Sequence, residues 1–351
     1  MWNLYETPKF SKILTKLPFP IECEGNIFGK PPVTKSRPDV SSLTTEQLQI
    51  FTRQCESIQN QLWSSDTDII NNDDFISPSI NSKYYDIKKF NSQVKTNPTS
   101  SFGLFHVNIA SLNLHCDELR SVLSRLKYSF DIIGISEHKF TVGMGPFNNI
   151  DIPGYEFIFE PTQSNFGGTG FYIKNNLDYI IRDDLKINKK NDHEAIFIEL
   201  ILHNRKNLIV GCVYRHAGTK LALSDFNDYY LEPILEKISS EKKECALMGD
   251  FNVDLLKTFD KDNASHFYNG LSSYFFTPHI LQPTRLGSKT LIDNIFFNSL
   301  EYSSISGNLL YELSDHLIQF LILEDFINYR VSIRSNLYKR DFSNFSEREF
   351  E

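Results

Sequence analysis

Short apolar runs alternate with short polar clusters from about residue 102 onward. The runs have the length and the β-branched and aromatic content of strands. Nine strands are predicted, over residues 102–109, 130–135, 155–159, 170–173, 195–201, 208–214, 245–248, 291–297 and 317–323. Apolar residues at helical spacing predict three helices, over residues 116–126, 224–239 and 264–274.

The balance of strands and helices indicates the architecture. Some strands alternate apolar and polar residues, whereas others are wholly apolar, and few helices separate them. This pattern is typical of two packed sheets with helices on the outside, an α+β sandwich.

Composition divides the chain into three parts. Residues 1–98 are rich in Asn, Ser, Thr, Asp and Pro and are predicted to be largely flexible, with a short helix over 44–58. Residues 99–325 form the predicted sandwich domain. Residues 326–351 return to polar sequence and have the character of a linker.

Charge and cysteine usage narrow the functional classes. The predicted sandwich holds 20 basic and 29 acidic side chains within a chain of net charge −8. This surface disfavours tight autonomous DNA binding, but metal-dependent nucleases also need concentrated carboxylates. The five cysteines lie far apart without a Cys-x-x-Cys pair, and no stretch has the 18 or so apolar residues of a membrane helix. We therefore expect a reduced, intracellular protein with no membrane partner.

The polar clusters follow the apolar runs directly, so rigid strand ends hold their side chains. Their chemistry-bearing residues are Asn108, Glu137, Tyr214 with Arg215, Asp250 with Asn252, Asp293, and Asp315 with His316. Hydrolysis of a phosphodiester needs hard oxygen ligands for a divalent cation, a carboxylate that orients water, and groups that stabilise phosphoryl charge. Each role has a candidate among these residues.

In their order along the chain, these clusters resemble the endonuclease/exonuclease/phosphatase superfamily. Within it, the segments GISEH, GDFN, IDNIF and LSDH are most similar to the apurinic-type endonuclease domain of LINE-like (non-LTR) retrotransposons. The resemblance implies a DNase I-like four-layer α/β sandwich of two mixed sheets flanked by helices. It also implies a Mg²⁺-dependent enzyme, with Mn²⁺ as the alternative ion, that nicks DNA and leaves a 3′-hydroxyl for reverse transcription.

The resemblance also implies a role for each matching residue. Glu137 and Asn108 are expected to hold the metal, with Asp315 supporting it. Asp250 is expected to orient or deprotonate the attacking water, assisted by Asn252. Tyr214 is expected to contact the scissile phosphate, and His316, paired with Asp293, to stabilise its charge. Thr284 is expected to contact the substrate from a hairpin over residues 283–290 that the resemblance suggests touches DNA, with a plain connecting loop as the alternative. Independently of the resemblance, Arg215 is expected to contact the substrate phosphate, with a plain surface position as the alternative. Ala110 departs from the family pattern, where a second polar residue is common.

Two other functions remain open. One is an abasic-site repair nuclease or an inositol or lipid phosphatase of the same fold. The other is an inactive remnant that acts as a binding module. The expected partners are DNA and a reverse transcriptase domain that this chain does not contain, and the expected place of action is the nucleus.

Overall fold

The computed structural model describes residues 80–95, 100–143, 150–164, 166–202, 205–257, 262–299, 301–311 and 313–326. These residues contain fourteen β-strands and five α-helices. The strands are β1 Ser82–Tyr85, β2 Phe102–Asn108, β3 Ile132–Ser136, β4 Tyr155–Glu160, β5 Thr169–Lys174, β6 Tyr179–Ile181, β7 Ile187–Lys189, β8 His193–Leu200, β9 Leu208–Arg215, β10 Glu244–Asp250, β11 Thr277–Pro278, β12 Asp293–Phe297, β13 Ser304–Leu309 and β14 Ile318–Leu323.

The helices pack on the outer faces of the two sheets. They are α1 Ile87–Gln93, α2 Leu112–Arg125, α3 Leu223–Phe226, α4 Glu232–Ser240 and α5 Asp262–Ser273. A π-helical turn, Asn227–Leu231, joins α3 to α4. Pro233 at the start of α4 has no backbone N–H to donate to the preceding turn.

The strands form two mixed seven-stranded sheets. The first has the order β1-β13-β14-β2-β3-β5-β4, and β1 with β13 and β2 with β3 are its parallel pairs. The second has the order β11-β12-β10-β9-β8-β6, with β7 also paired to β8 and with β9 and β10 parallel. This arrangement is the predicted four-layer sandwich.

Three apolar clusters separate the four layers. The cluster between the sheets includes Leu104, Val210 and Met248. The outer face of the first sheet packs on α1 and α2, and the outer face of the second sheet packs on α3, α4 and α5. Because strand residues alternate between faces, each central strand sends every second side chain into the middle of the sandwich.

The structure confirms all nine predicted strands, with ends that shift by at most two residues. All three predicted helical segments are helical, but α2 begins at Leu112, four residues earlier than its apolar spacing indicates. The single helix predicted over 224–239 is divided into α3, the π-helical turn and α4. The strands that were not predicted are β1, β6, β7, β11 and β13. β1, β6, β7 and β11 have only two to four residues each, and β13, which lies between β1 and β14, has the sequence SISGNL with only two apolar residues, so these sequences carry a weak pattern.

The sandwich extends beyond the limits expected from composition. Strand β1 pairs with β13, and Phe90 of α1 is fully buried against Phe130 and Phe320, so residues 80–95 belong to the folded domain. At the other end, Phe326 is buried against Phe102. The proposed helix over 44–58 and the tail after residue 326 lie outside the described residues.

Within the described part of the chain, the helices are too short or too polar for any of them to cross a membrane. The cysteines of that part, Cys116, Cys212 and Cys245, are buried free thiols.

Phe90→Ala tests whether residues 80–95 stabilise the sandwich. The change removes a fully buried ring, and we expect a loss of roughly 3–5 kcal/mol in the free energy of unfolding, measured by urea denaturation. Lys88→Ala on the exposed face of the same helix is the control and is expected to change it by less than about 0.5 kcal/mol. Equal stability of the two variants would show that α1 is not part of the cooperative unit.

Candidate active site

Alternation along the strands brings the site together. The inter-sheet faces of β2, β9, β10 and β12 carry apolar residues along most of their length, including Leu104, Cys212, Met248 and Ile295. At the ends of these same faces stand four polar residues, Asn108, Tyr214, Asp250 and Asp293. Asp250 is directly paired with Asp293 across β10 and β12 and with Tyr214 across β10 and β9. The site therefore lies at one end of the central core.

Asn108 links the two sheets. Its Nδ2 donates to Glu137 Oε1 at 3.0 Å and to Asp250 Oδ2 at 2.9 Å. Its Oδ1 accepts from the backbone N–H of Ala110 at 3.1 Å. Asn108 was expected to offer an oxygen to a metal, but in this geometry its amide holds the two carboxylates side by side.

Glu137 follows β3 and is fixed from two sides. Tyr214 donates its hydroxyl to Glu137 Oε1 at 2.9 Å, while Lys139 Nζ lies 3.7 Å from Oε2. The backbone of Glu137 has φ of 57°, a left-handed conformation that is costly for a residue with a side chain. Burial, followed by the charge of Glu137, raises the pKa of Tyr214, so its phenol stays protonated and remains a donor.

Asp250 is 1% exposed. Burial and the nearby charge of Asp293 raise its pKa to about 7, although the cation at His316 and a hydrogen bond from Asn108 act in the opposite direction. The carboxylate can therefore take up a proton close to neutral pH.

His316 and Asp293 form a buried pair. His316 Nδ1 donates to Asp293 Oδ2 at 2.8 Å, and its Nε2 lies 3.9 Å from Asp250 Oδ2. Burial alone lowers the pKa of an imidazole, but the Asp293 carboxylate outweighs it and raises the pKa of His316 to about 9. The Asp293 pKa is lowered, since the cation at His316 outweighs the effect of burial. At neutral pH this pair is an imidazolium beside a carboxylate.

The donor set suits a hard divalent cation. Asp250, Asp293 and His316 each place a ligand atom within 4.8 Å of the others, and Glu137 shares the Asn108 amide with Asp250. Asp293 Oδ1 is buried and has no hydrogen-bond partner among the described residues. Two buried carboxylates face one imidazole, so negative charge is in excess. A bound cation would compensate it.

Asp315 lies at the rim of the site. Its side chain is 42% exposed, one oxygen lies 3.9 Å from His316 Nε2, and the other pairs with Arg285. The bridge between Arg285 and Thr290 closes the hairpin expected over residues 283–290.

Asn252 lies next to the site, but its polar groups are turned to the protein. Its N–H donates to Asp250 Oδ1 at 3.0 Å, and its Nδ2 donates to the backbone oxygen of Arg215 at 2.6 Å. Its backbone φ is 49°, again left-handed. Asn252 thus fixes the turn that orients Asp250.

Two residues that were expected to contact the substrate lie away from the open side of the site. Arg215 follows Tyr214 and so projects from the opposite face of β9, where its guanidinium lies over Phe226 and donates to the backbone oxygen of Leu221. Thr284 is fully buried, and its hydroxyl donates to Asp293 Oδ2 at 2.6 Å. Thr284 orients Asp293 from behind and does not reach the surface of the site.

The structure also shows supporting residues that the sequence did not single out. Ser314 donates to the backbone oxygen of Asn108 at 2.6 Å, tying the segment before His316 to the end of β2. Lys139 lies close to Glu137, with its Nζ 3.7 Å from Oε2. Its position two residues after Glu137 is a signal that sequence reading could have used.

His106 is fully buried in the protein interior. Its ring nitrogens contact Gln319 Oε1 and Ser136 Oγ, each at 2.8 Å, and burial lowers its pKa. A neutral imidazole therefore supports the strands beneath the site.

Asp250→Asn tests whether burial raises the pKa of this carboxylate. Because the native pKa of about 7 exceeds the ordinary Asp value of about 3.9, the folded state binds a proton that the unfolded chain has released between these pH values. The stabilising effect of this proton is complete below about pH 4 and is lost as pH rises through 7. The free energy of unfolding of Asp250→Asn minus that of the native protein should therefore increase by on the order of 1–4 kcal/mol when the pH is raised from 5 to 8. Both proteins are measured in chelator.

Urea denaturation at both pH values measures this difference. Asp117→Asn removes a carboxylate whose side chain is 82% exposed and is expected to show no such change. A difference between Asp250→Asn and native protein that is the same at pH 5 and pH 8 would contradict the raised pKa.

We compared the chain with protein families, with curated proteins and with solved structures. Residues 110–316 match the Endonuclease/Exonuclease/phosphatase family. A search of curated proteins finds no significant match. Among solved structures, the chain is similar to the AP endonuclease LMAP from Leishmania major, with 14% identity and a TM-score of 0.51 over 66% of this chain and 90% of that one.

Two further solved structures are similar at a lower TM-score. The human nocturnin catalytic domain with bound sulfate has 17% identity and a TM-score of 0.47 over 66% of this chain and 95% of that one. The mannosyl-6-phosphatase Bt3783 from Bacteroides thetaiotaomicron has 14% identity and a TM-score of 0.47 over 63% of this chain and 99% of that one. At these identities, structural likeness speaks for the fold alone. The family match covers more than half of the sequence, and the chain belongs to the Endonuclease/Exonuclease/phosphatase family.

Proposed function

We propose that this protein is a Mg²⁺-dependent endonuclease that hydrolyses a phosphodiester in DNA and leaves a 3′-hydroxyl. The observation that carries the proposal is the meeting of Glu137 and Asp250 on one Asn108 amide, with the His316–Asp293 pair 3.9 Å from Asp250. Residues more than 200 positions apart thereby form one acidic site with a single buried cation.

Carboxylate oxygens are the ligands that Mg²⁺ prefers. Glu137 would hold the ion, with Asp250 and Asp315 beside it, and the bound ion would supply positive charge to the phosphoryl oxygens. Mn²⁺ is the alternative ion. Asn108 keeps its place in the proposal as the residue that positions Glu137 and Asp250 rather than as a ligand.

Asp250 is the proton acceptor in this proposal. A general base works best when its pKa lies near the working pH, and burial brings the pKa of Asp250 to about 7. The backbone N–H of Asn252 holds Asp250 Oδ1 at 3.0 Å, which leaves Oδ2 on the side of Asn108 and His316. A water on that side would give its proton to Asp250 as its oxygen bonds to phosphorus. The bond from phosphorus to the 3′-oxygen would break, and that oxygen would take up a proton from solvent and leave as the 3′-hydroxyl.

His316 supplies the opposite charge. With a pKa of about 9 it is an imidazolium at neutral pH, and its Nδ1–H is committed to Asp293. Its Nε2–H is left to donate to a phosphoryl oxygen as negative charge develops there. Thr284 and Asp293 fix the ring by hydrogen bonds, and Tyr214 fixes Glu137 in the same way.

Membership of a family of endonucleases, exonucleases and phosphatases leaves several substrates open. DNA is favoured by the motifs GISEH, GDFN, IDNIF and LSDH, which resemble retrotransposon endonucleases, and the fold is shared with an AP endonuclease from Leishmania major. On the same sequence resemblance we propose that the 3′-hydroxyl serves a reverse transcriptase and that the protein acts in the nucleus.

Nicking of supercoiled plasmid tests the proposal. The full chain should convert supercoiled to open-circular DNA with Mg²⁺ and stop when the ion is chelated. Asp250→Ala and His316→Ala should each slow nicking by at least about 100-fold, because a positioned acid or base contributes roughly 10²–10⁴-fold.

Asp117→Ala, which removes an exposed carboxylate in α2, is the matched control and should nick like the native protein. Undiminished nicking by either site variant would refute the roles given to Asp250 and His316.

A substrate panel separates DNA nicking from the alternatives. We expect undamaged plasmid to be cut at least as readily as duplex carrying one abasic site, with phosphoinositides left intact, as measured by gel and by phosphate release. Preference for the abasic duplex would assign the protein to repair, and release of phosphate from phosphoinositides would assign it to the phosphatases.

A further inference from the structure

Phe166 is an exposed aromatic residue beside the candidate active site. It lies in the connection between β4 and β5 and is 62% exposed, although most phenylalanines of the described chain are buried. Lys139 Nζ lies 6.0 Å from the centre of its ring and 3.7 Å from Glu137 Oε2. The ammonium group thus stands between the ring and the acidic centre.

The backbone that carries Phe166 is firmly held. The Phe166 carbonyl lies 2.8 Å from the Thr162 hydroxyl and 2.5 Å from the Ser164 hydroxyl. Gly167 and Gly168 follow with φ of 88° and 95°, values that favour glycine. A Cβ on Gly168 would lie 2.3 Å from the His138 ring, so close packing against His138 requires glycine there.

The same turn is joined to the segment that carries Glu137. The backbone N–H of Lys139 donates to Gly167 at 2.9 Å, and that of His138 donates to Gly168 at 3.4 Å. His138 is buried with both ring nitrogens bonded, and burial lowers its pKa to about 4, so it acts as a neutral structural link. These bonds hold the backbone at Phe166 next to the segment that carries Glu137.

An aromatic ring that is 62% exposed lacks most of the apolar contact that usually stabilises such a side chain. The cation beside it and the phosphodiester chemistry of the neighbouring centre indicate the occupant. A nucleobase stacks on an aromatic ring, and the phosphate joined to it is attracted by an ammonium group. Neither contact reads a base edge, so the contacts tolerate any sequence.

We propose that Phe166 and Lys139 form a nucleotide subsite next to the scissile phosphate. Phe166 stacks on an unstacked base, and Lys139 contacts the adjoining phosphate. The inference rests on the proposed endonuclease function and makes its substrate more specific, because base stacking on Phe166 requires nucleic acid that is single-stranded or locally opened.

Equilibrium binding of fluorescent oligonucleotides, followed by anisotropy, tests the subsite. Every protein carries Asp250→Asn so that DNA is not cut, and the probes are a single strand and a duplex of the same sequence. Phe166→Ala should weaken binding of the single strand by roughly 5- to 100-fold, the usual loss for one stacked base. Phe166→Trp should retain binding. Phe275→Ala, which removes a 77% exposed phenylalanine after α5, is the matched control.

Salt dependence distinguishes the two residues of the subsite. Lys139→Met should reduce the slope of log affinity against log salt by about one phosphate contact, whereas Phe166→Ala should lower affinity with an unchanged slope. Lys237→Met in α4, where the lysine side chain is 44% exposed, is the control for loss of one charge and should leave the slope unchanged.

The outcomes separate this inference from the endonuclease proposal. Equal affinity of the Phe166→Ala protein and its parent overturns the subsite, even if the native chain nicks plasmid. Weakened binding by Phe166→Ala in a protein that nicks no DNA supports the subsite and refutes the endonuclease proposal. A parent that binds neither oligonucleotide overturns the subsite, and the plasmid assay then decides the endonuclease proposal separately.

Discussion

The buried pairing of His316 with Asp293, close to a second carboxylate, is the interaction on which the site depends. The imidazolium stabilises Asp293 at 2.8 Å but lies 3.9 Å from Asp250. The single positive charge of His316 cannot balance the negative charges of two carboxylates. Burial and the charge of Asp293 therefore still raise the pKa of Asp250. The fold thus keeps one acid ionised and the other ready to bind a proton, which are different chemical states within a single cluster.

Such a cluster survives only because the surrounding structure holds it rigidly. The Asn108 amide bonds to carboxylates from both sheets. The Thr284 hydroxyl bonds to Asp293, and the Ser314 hydroxyl bonds to the backbone oxygen of Asn108. Glu137 and Asn252 are held in left-handed backbone conformations at strand ends. Strain of this kind, of order 1–3 kcal/mol per residue, persists when packing overdetermines the backbone. The apolar core between the sheets provides that packing.

Sequence reading succeeded where the pattern itself has a physical cause. Buried central strands must be apolar, so all nine predicted strands are present, and polar residues at their ends must lie at a common edge. The same alternation could have excluded Arg215, because Tyr214 and Arg215 cannot share a face. Thr284 could not be placed from sequence, because its burial depends on a hairpin that folds over Asp293.

The short edge strand β1 lay beyond sequence reading for another reason. Its four residues pair with β13, more than 200 positions later, and no local pattern announces such a partner. Phe166 illustrates the same limit in a loop. Its exposure and its distance from Lys139 arise from two turns that meet only in the folded chain.

Phe326 lies far from the acidic centre, because the two occupy opposite ends of strand β2. Its ring packs on Phe102 at the beginning of β2, while Asn108 at the end of that strand carries the acidic centre. The six steps from the first to the last residue of this seven-residue strand span roughly 20 Å at about 3.3 Å each. Phe326, the last residue of the final described segment, therefore packs at the end of the sandwich opposite the acidic centre, and its burial leaves the approach to that centre unobstructed.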